Sequence, residues 1–511
     1  MRRKQLVLNI GSNFISVMIG LFISFYITPF IVLSIGKEAY SFVTISNNFT
    51  SYMAILTIAL TSMTSRFVTL KIHKNDMEAA NDYYSTSFFT NLAIAALVSV
   101  ICIILLIYLD KLINIPSTVF FDVRLLFGIM FLTFVINVST TTFSVAAFSM
   151  NRLDVNSIIS ILGSIARMTV IFVAFRFFKP KVFYIGLSAL VVILIQGSMN
   201  YFIGKKIMPA LRISYKRVKL TIVRELFNSG IWNSFNQLSA VLLTGLDLLI
   251  ANIMLGASAS GTLAVAKTAP MALQALIAVV PTAFNPYLTI LFAKANRDNF
   301  INELLYTLKF TSILIGIPIA GFIALSSVFF SLWIPTVANQ QLTVLAILTM
   351  ISMIASFSIM PLMYIFTITN KLKWPSIAIF IVGLVNIVLV YILIKTTDIG
   401  LYAIAGVSSF LEIFRCLIFV PLYASFCLNE KPTLFYSSIL KSLGYMTILI
   451  IVYSSMALLI PIHSWLRLLL VAGLMAVIGL GIGIQFVLNA DEKTKIKRMF
   501  IDFMHKMKST Y

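Results

Sequence analysis

Apolar runs of about 20 residues follow one another from Leu6 to Leu488, and each can cross a hydrocarbon core of about 30 Å as a helix. Such a chain has lipid as its main solvent, so every span must satisfy its backbone polar groups internally. Helices do this, whereas a closed barrel would need short alternating segments that the sequence lacks. The expected fold is therefore all-α and integral to a membrane. Composition agrees: 60% apolar residues and a mean hydropathy of +1.01 leave too little polar surface to cover soluble domains.

The periodicity predicts about fourteen spans, at 8–33, 41–62, 85–109, 124–148, 157–177, 183–203, 228–255, 260–291, 304–334, 342–369, 376–395, 400–427, 439–460 and 466–488. The first follows Arg2, Arg3 and Lys4. It is longer than a signal-peptide core and no small-residue cleavage site follows it, so a retained helix is expected. With both termini cytoplasmic, most Lys and Arg residues fall on the inner face, including the stretch Lys205 to Arg224 and the tail Lys493 to Lys508. That bias sets the orientation expected in the membrane. It also accounts for the net charge of +21 through anionic membrane lipids as partners, without nucleic acid. From Asp491 onward Ile496, Met499, Phe500, Phe503, Met504 and Met507 share a helical stripe, the pattern of an amphipathic interfacial tail.

An internal repeat organises the chain. A shift of 220 residues places Asn13 on Asn233, Gly36 on Gly256, Thr69 on Thr289 and Lys74 on Lys294. At one residue less, Ile115-Pro116-Ser117 falls on Ile334-Pro335-Thr336 and the loop Asn151 to Ser157 falls on Asn370 to Ser376. Loops and spans thus match together. Six spans per copy give both copies the same orientation, hence parallel repeats with a cleft between two lobes. The expected layout is an N-lobe at 1–204, a basic interlobe linker at 205–227, a C-lobe at 228–427, an extra helix pair at 428–490 and a basic tail at 491–511.

Several short motifs resemble one family. Thr28-Pro29-Phe30, Ile35-Gly36-Lys37-Glu38-Ala39-Tyr40, Ser65-Arg66-Phe67, Ser229-Gly230-Ile231-Trp232, Asp247, and Gly256 before Lys267 are similar to the polysaccharide-transport branch of the multidrug/oligosaccharidyl-lipid/polysaccharide exporter superfamily. The resemblance covers nearly the whole chain. It implies an O-antigen, capsule or exopolysaccharide flippase that moves undecaprenyl-pyrophosphate-linked oligosaccharide from the inner to the outer leaflet by alternating access. A polysaccharide polymerase and glycosyltransferases would be its partners, with no cofactor beyond a proton or sodium ion for coupling. Lipid-II flippases and drug/cation antiporters of the same superfamily are the alternatives. The antiporter reading is disfavoured because no central Asp or Glu lies in spans one to six.

Charges inside spans cost at least about 2.5–3.5 kcal/mol each and are functional candidates by default. Here they are Arg167, Asp247, Lys267, Glu412 and Arg415. A pyrophosphate linker would bring negative charge to them, which makes Arg66, Arg167, Lys267 and Arg415 a candidate cationic cleft for substrate. Asp247 and Glu412 are expected to couple an ion or to serve as charge partners. Plainer readings stand beside these: snorkelling for Lys267, mutual neutralisation of Glu412 and Arg415 at i, i+3, and an inner-face anchor for Arg66. Asn13, Asn47, Asn48, Thr140, Thr141, Thr142, Asn233, Asn236 and Gln237 fit either sugar hydrogen bonding or interhelical contacts. No phosphate-cradling Gly-rich loop, nucleotide-binding domain or histidine pair is present, so a transporter is expected and not an enzyme. Cys102, Cys416 and Cys427 lack metal-ligand spacing and read as core.

Overall fold

A computed structural model describes residues 2–282, 284–293, 297–369 and 371–494, and among them it contains helices and no strand. Leaving aside single turns, the helices are α1 (Arg2–His73), α2 (Met77–Ile107), α3 (Phe120–Thr140), α4 (Val145–Ser149), α5 (Leu153–Phe177), α6 (Phe183–Ile207), α7 (Leu220–Ala240), α8 (Asp247–Leu255) and α9 (Ala257–Ile277). They continue with α10 (Asn285–Ala293), α11 (Arg297–Trp333), α12 (Gln340–Ser358), α13 (Met360–Ile368), α14 (Lys373–Thr396), α15 (Leu401–Phe414), α16 (Val420–Leu428), α17 (Tyr436–Leu459) and α18 (Trp465–Phe486).

Among the described residues ten helices are long and apolar enough to cross a membrane, or twelve if each of two bent pairs is one span. The count differs from the fourteen expected at two places, each with a local cause. α1 has 72 residues and would be about 108 Å long if straight, far more than one hydrocarbon core. Gly36, at φ 85° and ψ 160°, divides it into spans one and two, in a conformation that only glycine adopts without strain. Span eight does not run as one helix either. It is divided into α9 and α10 around a single turn, Val279–Thr282, that holds Pro281, whose ring removes a donor and blocks the preceding turn.

The repeat recurs in local geometry. Gly256, matched to Gly36, has φ 91° and ψ 172° between α8 and α9. Span four is interrupted by a 3-10 turn at Thr141–Ser144, and span ten bends by 49° at the matched position between α12 and α13. Thr69 Oγ1 lies 2.9 Å from Ser149 Oγ on α4. Its mate Thr289 places Oγ1 2.9 Å from Tyr364 Oη on α13, the helix onto which the repeat shift carries α4.

Packing divides the chain into two compact units: the chain up to Val265 with Ile379–Ile404, and Ala266–Ala378 with the chain from Ala405 onward. In the first, the buried rings of Phe49, Phe127 and Phe131 meet edge to face. α1 and α7 cross so closely at Gly230 that a Cβ there would run into the Ala59 carbonyl, and Ser234 Oγ donates to Ile55 O at 2.7 Å beside the crossing. In the second, α17 and α18 pack on α11. The fully buried Tyr445 donates to Gly479 O at 3.0 Å, and Tyr453 donates to Met475 O. Lys309, buried in α11, pairs with Glu492 at 2.8 Å just beyond α18. Leu458, Leu459, Phe177, Phe22 and Val477 stand exposed. Apolar surface on this scale needs lipid to cover it. The expected tail helix at 491–511 falls mostly outside the described residues, which are helical at 490–494. The three cysteines are buried and free.

The segment joining α6 to α7 is held as a strap along α2. Asn81 donates from Nδ2 to Ala210 O (3.2 Å) and accepts from Arg212 N (2.7 Å). Ser85 donates to Arg212 O and accepts from Ser214 N, both at 3.1 Å. Thr86 donates to Arg217 O and accepts from Lys219 N. Asp82, nearly buried, pairs with both Arg217 and Lys219. Side chains thus supply what a neighbouring strand would otherwise give to an extended backbone. Between the strap and α6 lies a cavity of about 610 Å³ lined by Tyr84, Asn200, Tyr201, Lys205 and Arg212 among others.

Candidate functional site

Asp247 is set in place by a break in span seven. After α7 the backbone widens into a π-turn at Val241–Gly245, then bends by 41° into α8, whose first residue is Asp247. A π-turn inserts an extra residue into a helical turn and leaves carbonyls short of their regular partners. Here three side chains take them up. Tyr52 Oη and Asn48 Nδ2 donate to Gly245 O at 2.6 and 3.3 Å, and Asn386 Nδ2 donates to Leu243 O at 2.9 Å. Gly383 lets α14 come this near, since a Cβ there would lie 2.8 Å from Leu242 Cβ.

The Asp247 side chain is 1% exposed and stands at the N-terminal end of α8, where the helix dipole favours negative charge. Tyr52 lies within its electrostatic reach. The Oδ1 of Asn386 is buried and has no hydrogen-bond partner among the described residues. Asp247 thus follows a π-turn whose Leu243 and Gly245 carbonyls are held by Asn386, Tyr52 and Asn48. Among the described residues no three His, Cys, Asp or Glu side chains gather as a metal cluster.

The other expected site residues fall in both compact units. Arg66, exposed on the second half of α1, and Arg167, half-buried on α5, belong with Asp247 to the first. Arg167 lies within electrostatic reach of Tyr40. Lys267, half-buried on α9, belongs with Glu412 and Arg415 to the second. Glu412 and Arg415 are brought together as a two-pronged pair: Arg415 Nε to Glu412 Oε2 at 2.9 Å and Nη2 to Oε1 at 2.6 Å. Arg415 also opens a second π-turn, Arg415–Phe419, and is 6% exposed. Planar pairing of this kind satisfies a guanidinium that burial would otherwise penalise.

Sequence reasoning missed Asn386, Tyr52 and the Lys309–Glu492 pair. A lone asparagine inside the apolar run 376–395 was the available signal for Asn386. Lys309 also lay within an expected span, near its end, where a basic residue reads as an anchor.

Comparison with known proteins places this geometry. Residues 6–292 match the family described as polysaccharide biosynthesis protein. A protein of Bacillus subtilis (strain 168), described as the uncharacterized membrane protein EpsK, is 30% identical over 468 residues, covering 90% of this chain and 91% of its own. Among solved structures, the lipid II flippase MurJ in an inward closed conformation aligns with a TM-score of 0.63 at 15% identity, covering 93% of this chain and 98% of that one. An inward-facing multidrug resistance MATE family transporter of the MOP superfamily aligns with a TM-score of 0.62 at 14% identity, covering 82% and 94%. At these identities the two structures establish the fold alone, and that fold is the one expected from the spans and the repeat.

Proposed function

Since the chain belongs to the family of polysaccharide biosynthesis proteins, we propose that it is a flippase for an undecaprenyl-pyrophosphate-linked oligosaccharide, moving a polysaccharide repeat unit from the inner to the outer leaflet of a bacterial cytoplasmic membrane. The observation that carries this reading is Arg167. It is a half-buried guanidinium well inside a span of a chain whose family name already joins it to polysaccharide synthesis. A cation kept there at the cost of desolvation is suited to meet phosphate oxygens. Arg66, Lys267 and Arg415 are the further candidates for that contact, Arg415 through a guanidinium already oriented by Glu412.

Both termini lie on the cytoplasmic side in this reading, and the basic strap and loops rest against anionic lipid. Transport proceeds by alternating access without ATP bound to this chain. Asp247 is the coupling residue, taking up a proton or sodium ion in one half of the cycle. Glycosyltransferases supply the lipid-linked substrate and a polymerase consumes it.

The test is reconstitution of the purified chain in proteoliposomes with a fluorescent undecaprenyl-pyrophosphate disaccharide, under imposed proton and sodium gradients, with lipid II in parallel. Protein-dependent movement of the disaccharide lipid is expected. Arg167→Gln should slow it by at least about tenfold, the worth of one charge-assisted hydrogen bond, and Asp247→Asn should remove its dependence on the gradient. Movement of lipid II alone, or of neither lipid, would overturn the reading.

A further inference from the structure

A second polar site lies in the first unit, between the N-terminal parts of α1 and α5. A cavity of about 390 Å³ is lined there by Asn9, Asn13 and Ser16 of α1 and by Asn156, Ser157 and Ser160 of α5, with Asn151 and Leu153 at its edge. Part of this lining is committed to holding the fold. Asn9 Nδ2 donates to both the backbone and side-chain oxygens of Asn151 at 3.0 Å, while Asn9 Oδ1 accepts from Asp154 N at 3.1 Å and from Gln5 Nε2 at 3.0 Å. Ser157 donates to Leu153 O. Arg152 and Asp154 neutralise each other through a two-pronged pair, so the charges beside the cavity cancel.

What remains is uncommitted. Asn13, Ser16 and Ser160 make no hydrogen bond among the described residues, and the buried Oδ1 of Asn156 has no partner. Were these groups interhelical glue, they would bond across the helix pair; instead a cavity separates them. An unpaired amide in an apolar setting is costly. Spacing adds direction. Asn156, Ser160, Ser164 and Arg167 follow at i, i+4, i+8 and i+11 along one face of α5, a rise of about 16 Å. Gly163 on that face admits Gln196 of α6, whose Nε2 would lie 3.0 Å from a Cβ there. The stripe therefore runs from a neutral, amide- and hydroxyl-lined cavity to a single cation.

A ligand for such a cavity must both donate and accept hydrogen bonds, carry no charge at that end and fit a space of small-molecule size. We propose that it is a saccharide site, in which Asn13, Ser16, Asn156 and Ser160 bind sugar hydroxyls of the transported glycan while Arg167 faces its phosphate. This assignment rests on the flippase reading above and adds to it where the glycan is held. With the N-terminal end of α1 cytoplasmic, it is the loading station of the inner leaflet.

The test measures binding to the full-length chain in nanodiscs with two probes, an undecaprenyl-pyrophosphate-linked disaccharide and bare undecaprenyl pyrophosphate. The wild type should prefer the glycosylated lipid by about tenfold, equivalent to one or two net hydrogen bonds. Asn156→Leu with Ser160→Leu should abolish that preference and leave affinity for the bare lipid unchanged, which also certifies the fold; Asn156→Gln should keep part of it. A preference that survives the double substitution would mean that the cavity holds water only, and an equal loss for both probes would assign these residues to structure. Either result overturns the saccharide site while leaving the flippase reading intact. A wild type that binds neither probe would remove both.

Discussion

Spans one and seven hold equivalent places in the two copies of the repeat, yet they are built differently. Before Gly36, α1 runs without a departure from helical geometry, whereas span seven opens into a π-turn just ahead of the buried Asp247. The same contrast separates spans six and twelve: α6 is continuous, while its counterpart widens into a π-turn that begins at Arg415. Both π-turns of the second copy therefore adjoin a charge inside a span, Asp247 after one and Arg415 at the start of the other. One extra residue in a turn rotates everything beyond it by about 100°. It also frees carbonyls, which Asn48, Tyr52 and Asn386 then claim around Asp247. In the first copy Arg167 sits in regular helix and is reached by a stripe of small polar side chains. Duplicated halves can keep one architecture and still specialise, because a single π-turn re-aims a side chain without disturbing the span's hydropathy.

The largest effect that would test this contrast concerns the second π-turn. Glu412→Ala leaves Arg415 buried without its partner and should cost about 3–5 kcal/mol, read as thermal unfolding in detergent. Replacing both residues by methionine should recover most of that loss. An unchanged midpoint for Glu412→Ala would mean that solvent, not Glu412, satisfies the guanidinium. Next, Gly230→Ala should destabilise by about 3 kcal/mol, the upper end of overpacking costs, because the obstacle is the Ala59 backbone. Gly20→Ala in span one meets nothing within 4 Å and should shift stability by no more than about 1 kcal/mol. Equal effects would erase the difference between the two spans.

Asn386→Leu uncovers a carbonyl of the first π-turn and should cost about 1–3 kcal/mol. Deleting one residue from 241–245 is the sharper functional test, since it should restore regular helix, turn Asp247 by about 100° and stop transport in a chain that still inserts. The smallest effects test what the copies share. Gly36→Ala and Gly256→Ala each force a side chain into an extended positive-φ region that is essentially glycine's alone and should cost about 1–3 kcal/mol, nearly the same at both sites. A clear inequality would limit the symmetry to sequence.

Much of this architecture was legible beforehand because it depends on long-range regularities. Span positions follow from hydropathy, and the repeat pairs Gly36 with Gly256, whose φ values match. The Glu412–Arg415 pair was visible as an i, i+3 spacing. The π-turns were not, because Val241–Gly245 and Arg415–Phe419 are apolar stretches whose average is unaltered by one added residue. The breaks at Ile359 and around Pro281 had a local signal in Pro361 and Pro281, although both lie within runs that are apolar throughout. For the site, sequence could name Arg167 and Asp247 as costly charges. It could not tell that Asn386 from a distant span holds the turn before Asp247, nor that Asn156 and Ser160 line a cavity.

The strap between α6 and α7 carries one more consequence. Its backbone is read at alternate points by Asn81, Ser85 and Thr86, so it works as a ruler and not as a rope. Side-chain identity along 209–219 is lightly constrained where it faces solvent, but the number of residues is not. One inserted residue would throw the donors and acceptors beyond it out of register. A cut in this connection belongs after the strap, which stays with α2, the helix that already carries its mould.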